Sequence, residues 1–192
     1  MTEIVLFHHI QGLTSGVAAF ADALREAGHT VRTPDMFEGR TFESIEAGQA
    51  YCQEVGFEEV RERGVRAVQD LPHELVYAGF SLGCMAAQKL VQGRPGALAG
   101  LFYHGFADPS WFGVWPEGTP AQIHAMDADP FFVEEGDLEA ARPFVDAHAE
   151  VELFLYPGDG HLFADNTLAD YDAGATKLVL ERSLELLARV GR

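Results

Sequence analysis

The chain is poor in cysteine, in basic side chains and in long apolar runs, and each shortage excludes a class of protein. Its 192 residues include two cysteines, Cys52 and Cys84, which cannot form a disulfide framework and lack CxxC metal-site spacing. Thirteen Lys and Arg residues oppose thirty Asp and Glu residues, and the net charge of −17 would repel nucleic acid and anionic membranes. No apolar run reaches the roughly eighteen residues of a spanning helix.

The first residues also lack a leader-peptide pattern, because Met1 to Glu3 lead directly into an apolar run without a basic region. We therefore expect a cytoplasmic protein that binds neither nucleic acid nor membrane. With 47% hydrophobic residues, no internal repeat and no linker-like segment, residues 1–192 are expected to form one domain, as a monomer or a homodimer.

Short apolar runs alternate with amphipathic segments, which is typical of βα units around a mostly parallel sheet buried on both faces. The predicted strands are Ile4–Phe7, His29–Thr33, Glu74–Gly79, Ala97–Tyr103, Ala121–Ala125 and Val151–Tyr156. Apolar residues at helical spacing predict helices over 17–27, 57–71, 84–90, 138–148 and 179–190, with a kink or restart at Pro143. The pattern predicts an α/β fold with helices on both faces of the sheet.

The strongest local motif is Gly-x-Ser-x-Gly at Gly79 to Gly83, between a predicted strand and a helix-forming run. This context is typical of a nucleophile elbow, a strained turn that exposes the hydroxyl of Ser81 above the sheet. Glycines two positions to either side avoid steric clashes there. The alternative is a polar serine in a glycine-lined turn, which the strand and helix context makes the weaker interpretation.

A serine hydroxyl is a poor nucleophile without a base, and the chain offers eight histidines. His161 alone follows the last predicted strand, in a Pro/Gly loop of the kind that carries sites in open α/β sheets. The acid is expected after the preceding strand, where Asp127 and Asp129 compete. Either carboxylate could hold the imidazole in the required tautomer.

Taken together, five stretches of the chain resemble the dienelactone hydrolase family of α/β-hydrolases. They are residues 8–12, 33–37, the elbow, 124–131 and 156–163, so the resemblance spans nearly the whole chain. It implies an α/β-hydrolase fold and favours Asp129 over Asp127, because the family's acid directly precedes a short hydrophobic segment, here starting at Pro130. It also implies that the backbone N–H groups of Leu82 and Ile10 are the oxyanion donors.

Two positions depart from the family pattern. Prototype members use a cysteine nucleophile assisted by a glutamate in the first turn, where this chain has Ser81 and His9. Members that accept anionic lactones are expected to carry basic side chains near the substrate, yet the residue four beyond His161 is Asp165. Unless it is paired or points away from the site, this carboxylate, together with the net charge, predicts a preference for neutral over carboxylate-bearing substrates.

Further side chains near the expected site have two interpretations each. His9 either hydrogen-bonds a substrate or is a structural histidine. The aromatic residues after the fourth predicted strand and in the acid loop either line a pocket or form a satellite core, and Trp111, Trp115 and Phe131 are the pocket candidates.

Cys84, three residues beyond the elbow serine, is expected to be buried rather than catalytic. A zinc site built from His8, His9, His124 and Asp127 lacks recognised ligand spacing, so no metal and no cofactor are expected.

These patterns predict a serine hydrolase that cleaves a small carboxylic ester, lactone or thioester with Ser81, His161 and Asp129, in a chain too short for a large lid. The alternative is a non-catalytic α/β-hydrolase-like binding or regulatory protein that keeps the elbow as scaffold. A nucleotide-binding Rossmann or flavodoxin-like domain is disfavoured, because Gly12 and Gly16 do not complete a GxGxxG loop.

Overall fold

The computed structural model describes residues 1–191 and contains one six-stranded sheet. The strands are β1 (Glu3–Phe7), β2 (Thr30–Arg32), β3 (Val76–Phe80), β4 (Ala99–Tyr103), β5 (Ala121–Met126) and β6 (Val151–Tyr156). All neighbours pair in parallel, in the order β2-β1-β3-β4-β5-β6. Every predicted strand is present, with bounds within two residues of those predicted, and the predicted α/β class is confirmed.

Seven α-helices cover the sheet. They are α1 (Ser15–Glu26), α2 (Ile45–Val55), α3 (Phe57–Arg66), α4 (Leu82–Gly93), α5 (Pro130–Glu134), α6 (Asp137–Ala147) and α7 (Ala173–Val190), and a 3₁₀ turn spans Pro109–Trp111. Apolar residues of α1 and α7 form one core layer, whereas those of α2, α3, α4 and α6 form the other. The sheet is therefore buried on both faces, as its apolar strands require.

Three helix predictions need correction. α2 was not predicted, although Ser44 caps it by accepting the Ala47 N–H. α3 ends at Arg66, because residues 67–71 form turns instead of continuing the helix. α6 continues through Pro143 without a restart. Proline removes one backbone donor there, and the carbonyl that loses its partner belongs to the exposed Glu139, where water can replace the bond.

The sheet order reverses between β1 and β3, which places the turn after β1 beside the elbow after β3. Phe7 at the end of β1 is in register with Gly79, two residues before Ser81. Open α/β sheets bind ligands at this kind of switch point, outside the carboxyl ends of the strands. Within residues 1–191, no helix is both long and apolar enough to cross a bilayer.

Candidate active site

The elbow holds Ser81 in a backbone conformation that side chains rarely adopt, with φ 48° and ψ −111°. Its N–H donates to the Tyr103 carbonyl at 2.7 Å, which ties the turn to the end of β4. The flanking glycines are required sterically. A Cβ on Gly79 would lie 2.4 Å from the Gly83 backbone, and a Cβ on Gly83 would lie 2.5 Å from the Phe7 carbonyl oxygen.

Three side chains from distant parts of the chain form one hydrogen-bonded series. Ser81 Oγ lies 2.8 Å from His161 Nε2, and His161 Nδ1 lies 2.7 Å from Asp129 Oδ2. The second oxygen of Asp129 accepts the Phe131 N–H at 2.9 Å, where the carboxylate caps α5. Asp129 and His161 are buried, so the series is shielded from water except near Ser81.

The other candidate acid lies elsewhere. Asp127 is exposed, and its Oδ1 accepts the Gly158 N–H at 3.1 Å. The structure thus places Asp129, and not Asp127, beside His161.

Two backbone N–H groups next to Ser81 have no acceptor. Leu82 follows Ser81 at the start of α4 and Ile10 lies in the turn after β1, and both line a small cavity of about 160 Å³ together with Ser81 and His161. In the part of the chain that the structure describes, neither N–H donates a hydrogen bond. A Cβ on Gly48 would lie 2.0 Å from the Ile10 carbonyl oxygen, so α2 packs closely against the residue that carries the second of these N–H groups.

His9 and Asp165 do not line that cavity, nor do they line a larger groove that extends from Ser81 along α6. Both are buried, and His9 Nε2 donates to Asp165 Oδ2 at 2.8 Å. His9 Nδ1 accepts the Gln11 N–H at 3.2 Å, so the imidazole is neutral and neither ring nitrogen remains for a substrate. Of the two possibilities for Asp165, the structure shows the one in which the carboxylate is paired and does not face the substrate.

Further donors saturate the same carboxylate. Asp165 accepts the Thr14 hydroxyl at 2.5 Å, and it accepts the Thr167 N–H at 2.8 Å and hydroxyl at 2.5 Å. Burial alone would raise the pKa of Asp165, but these hydrogen bonds and the one from His9 outweigh it and lower that pKa below its usual range. Asp165 is thus a satisfied, buried anion.

The three aromatic pocket candidates separate into different environments. Trp115 is buried, donates its indole N–H to the Thr119 carbonyl at 3.0 Å and packs against Phe144. It belongs to the core and does not reach the cavities beside Ser81. Phe131 lines the small cavity, with its ring centroid 4.6 Å from that of His161. Trp111 is 66% exposed and lines the larger groove.

Cys84 is buried below the elbow, where its thiol donates to the Gly79 carbonyl at 3.1 Å. Burial raises the pKa of this thiol well above its usual value, so the residue remains a neutral thiol. The histidines of the rejected zinc site have other partners, since His8 accepts the Met36 N–H and His124 pairs with the Tyr156 hydroxyl. No group of three or more His, Cys, Asp or Glu side chains in residues 1–191 is arranged to hold a metal ion.

Sequence reasoning missed two side chains next to the series. His104 is buried with φ 63°, and neither ring nitrogen has a hydrogen-bond partner among the described residues. Asp137 begins α6 and accepts the Phe106 N–H at 2.8 Å. Burial raises its pKa to about 6. No motif marks either residue in the sequence, because each is defined by packing between segments far apart along the chain.

A larger groove of about 710 Å³ runs from Ser81 between α6 and the segment that follows β4. Asp137 lines both this groove and the small cavity, so its carboxylate lies where the two spaces meet the serine.

Comparisons with known proteins bear on the fold and the family of this chain. No curated protein was found with a similar sequence. A dienelactone hydrolase-like promiscuous phosphotriesterase from metagenomic libraries has a TM-score of 0.73 at 17% identity, with 99% of this chain and 87% of that chain covered. A dienelactone hydrolase from Anabaena variabilis has a TM-score of 0.69 at 20% identity, with 98% of this chain and 87% of that chain covered. Esterase PE8 has a TM-score of 0.66 at 15% identity, with 97% of this chain and 93% of that chain covered.

At these identities the solved structures establish the α/β-hydrolase fold alone. The sequence model of the dienelactone hydrolase family adds what the structures cannot, because it matches residues 1–191. The resemblance noted along the sequence is thereby confirmed, and the chain belongs to the dienelactone hydrolase family.

Proposed function

We propose that this protein is a serine hydrolase that cleaves carboxylic esters, lactones or thioesters through a covalent acyl-enzyme. Its family and its esterase and phosphotriesterase neighbours support a hydrolase. The observation that carries the finer proposal is the unbroken hydrogen-bonded series from Ser81 through His161 to Asp129. It supplies a nucleophile, a base and an orienting carboxylate in one arrangement.

Acylation follows from the tautomer that this series favours. Asp129 accepts the proton on His161 Nδ1, which leaves the Nε2 lone pair directed at the Ser81 hydroxyl. As Ser81 Oγ bonds to the substrate carbonyl carbon, its proton passes to Nε2. The buried Asp129 carboxylate then stabilises the imidazolium by a charge-assisted hydrogen bond.

The tetrahedral intermediate would place its oxyanion against the free N–H groups of Leu82 and Ile10. Loss of one such donor typically costs about 10² to 10³ in rate. When the intermediate collapses, His161 gives its proton to the leaving oxygen or sulfur. Water, deprotonated by the same nitrogen, then releases the acid and restores Ser81. As proposed, this cycle uses protein groups and water, without a metal or cofactor.

Variants of the series test the proposal on a small activated ester such as p-nitrophenyl acetate. Ser81→Ala is expected to lower kcat by at least about 10⁴, and Asp129→Asn by about 10³ to 10⁴. The controls are Ser15→Ala and Asp127→Asn, both at exposed positions, which should stay within about threefold of the parent by the same reasoning. With folding verified by circular dichroism, full activity of Ser81→Ala would refute the nucleophile. Loss of activity in Asp127→Asn alone would refute the acid.

A further inference from the structure

The groove beside Ser81 is lined by acidic side chains and, over residues 1–191, by no lysine or arginine. Its carboxylates belong to Asp108, Glu135, Asp137 and Glu139. The small cavity repeats the pattern, because its carboxylates are Glu135 and Asp137 and no lysine or arginine of the described chain lines it. A substrate that reaches Ser81 therefore meets negative charge from both spaces.

We propose that this groove selects esters that carry a positively charged group, such as a quaternary ammonium, a few atoms from the reacting carbonyl. The inference rests on the proposed role of Ser81, and it names the substrate class of that site.

The environment of the Asp137 carboxylate is the first observation that supports this proposal. Its side chain is partly buried, its one hydrogen-bond donor is the Phe106 N–H, and within the described residues it has no ion-pair partner. A Cβ on Gly105 would lie 3.5 Å from its Oδ2 and 3.3 Å from Ser81 Cα, so the carboxylate and the elbow are separated by one small residue. A partly buried carboxylate without a cation is costly, and a cationic ligand would supply the missing charge.

The ion pairs of the described chain lie outside the groove. Eight carboxylates pair with Lys or Arg there, as Glu62 does with Lys89 and Glu152 with Arg189. None of the four groove carboxylates forms an ion pair within residues 1–191. The scarce cations of the chain are thus placed away from the route to Ser81.

The exposure of the Trp111 side chain is the second observation. The side chain is 66% exposed, and it lines both this groove and a second pocket that contains Arg61, Lys89 and Arg94. On the groove side, its indole offers an aromatic face to a quaternary ammonium, which gains cation–π attraction without needing hydrogen bonds.

Matched esters test the charge preference directly. Butyrylcholine and 3,3-dimethylbutyl butyrate differ by a nitrogen or a carbon at the centre of the same trimethyl group. Phenyl esters of 4-(trimethylammonio)butanoic acid and 5,5-dimethylhexanoic acid place the same pair on the acyl side. Because an ammonium group activates an ester, each kcat/KM is divided by the alkaline hydrolysis rate of that ester. For at least one pair we expect about a tenfold preference for the cation, falling in 0.5 M NaCl.

Asp137→Asn should reduce this ratio of cationic to neutral ester turnover to less than about threefold. Asp146→Asn is the matched control, because it makes the same charge change on the exposed side of α6, outside the groove. Equal rates within both ester pairs would overturn the inference. So would an Asp137→Asn variant that slows cationic and neutral esters alike, since the carboxylate would then serve His161 rather than the substrate.

Binding to Ser81→Ala separates this inference from the proposed reaction. Trp111 and Trp115 are the two tryptophans of the chain, and only the first lines the groove, so ligand binding can be followed by fluorescence. Butyrylcholine is expected to bind several-fold more tightly than its neutral isostere, and Asp137→Asn should abolish the difference. A parent protein without esterase activity would refute the proposed function alone, whereas equal affinities for the two ligands would refute the cation preference.

Discussion

Two carboxylates on opposite sides of the elbow illustrate two uses of buried charge. Asp165, on the α1 side, has hydrogen-bond donors from His9, Thr14 and Thr167 and is shielded from solvent. Asp137, on the α6 side, has one backbone donor, no ion-pair partner in the described chain and an open groove before it. The negative charge of Asp165 is stabilised by groups of the protein itself. That of Asp137 is stabilised by a single hydrogen bond, and a cationic ligand could stabilise it further.

The difference extends to backbone geometry. Gly16 lies so close to Asp165 that a Cβ there would approach Oδ1 to 1.6 Å, which shows how fully the carboxylate occupies its site. Around Asp137 the structure leaves space that connects to Ser81. The α1 side is therefore closed by its own hydrogen bonds, and the α6 side remains accessible.

The largest expected effect comes from disrupting the closed side. Asp165→Asn should lower the free energy of unfolding by about 3 kcal/mol, because an amide NH₂ would face donors and His9 would lose its anionic partner. Urea unfolding at pH 7.5 measures the change. Asp170→Asn, at an exposed position of the same loop, is the control and should change the free energy of unfolding by close to zero. A loss below about 0.5 kcal/mol would contradict the importance given to these hydrogen bonds.

The open side should respond with the opposite sign. Asp137→Asn is expected to raise the free energy of unfolding at pH 8 by on the order of 1 kcal/mol, because it removes the cost of burying the charged form. The pKa of Asp137 is raised from 3.8 to about 6 in the folded protein. Its charge therefore destabilises the fold increasingly as pH rises between these values, and the penalty is constant above them.

Comparison of urea unfolding at pH 5 and pH 8 checks this sign. The gain from Asp137→Asn should be smaller at pH 5, where the carboxyl of the folded parent is mostly protonated. His161 lowers the pKa of this carboxyl, and Glu135 and Asp129 raise it, so the measured gain includes the loss of these interactions as well as of the burial cost. A variant that is less stable than the parent at both pH values would make Asp137 a structural residue like Asp165.

The fold was largely predictable because buried parallel strands appear in the sequence as short, continuous apolar runs. The predicted bounds of β6 match the observed ones, and those of the other five strands differ by at most two residues. The same strands predicted the positions of Ser81 and His161 and limited the acid to Asp127 or Asp129, and the family resemblance then favoured Asp129.

α2 was missed because Ile45 and Val55 are its only large aliphatic residues, and because Gly48 in its interior is typical of a loop. That glycine is needed where the helix approaches Ile10.

The contrast between the two carboxylates could not be predicted from the sequence. His9 and Asp165 are 156 positions apart, and nothing local marks them as partners. Asp137 resembles any acidic residue in the first turn of a helix, where the helix dipole favours it. Its position next to Ser81 depends on how α6 packs beside the segment after β4, which is a tertiary property.

Covalent labelling with a fluorophosphonate, followed by peptide mass spectrometry, shows whether Ser81 is an activated nucleophile. We expect one adduct on Ser81 of the folded protein, none after denaturation, and none in Ser81→Ala. A folded protein that stays unlabelled, or whose adduct lies on another residue, would contradict an activated Ser81 and favour a non-catalytic binding protein built on the same fold.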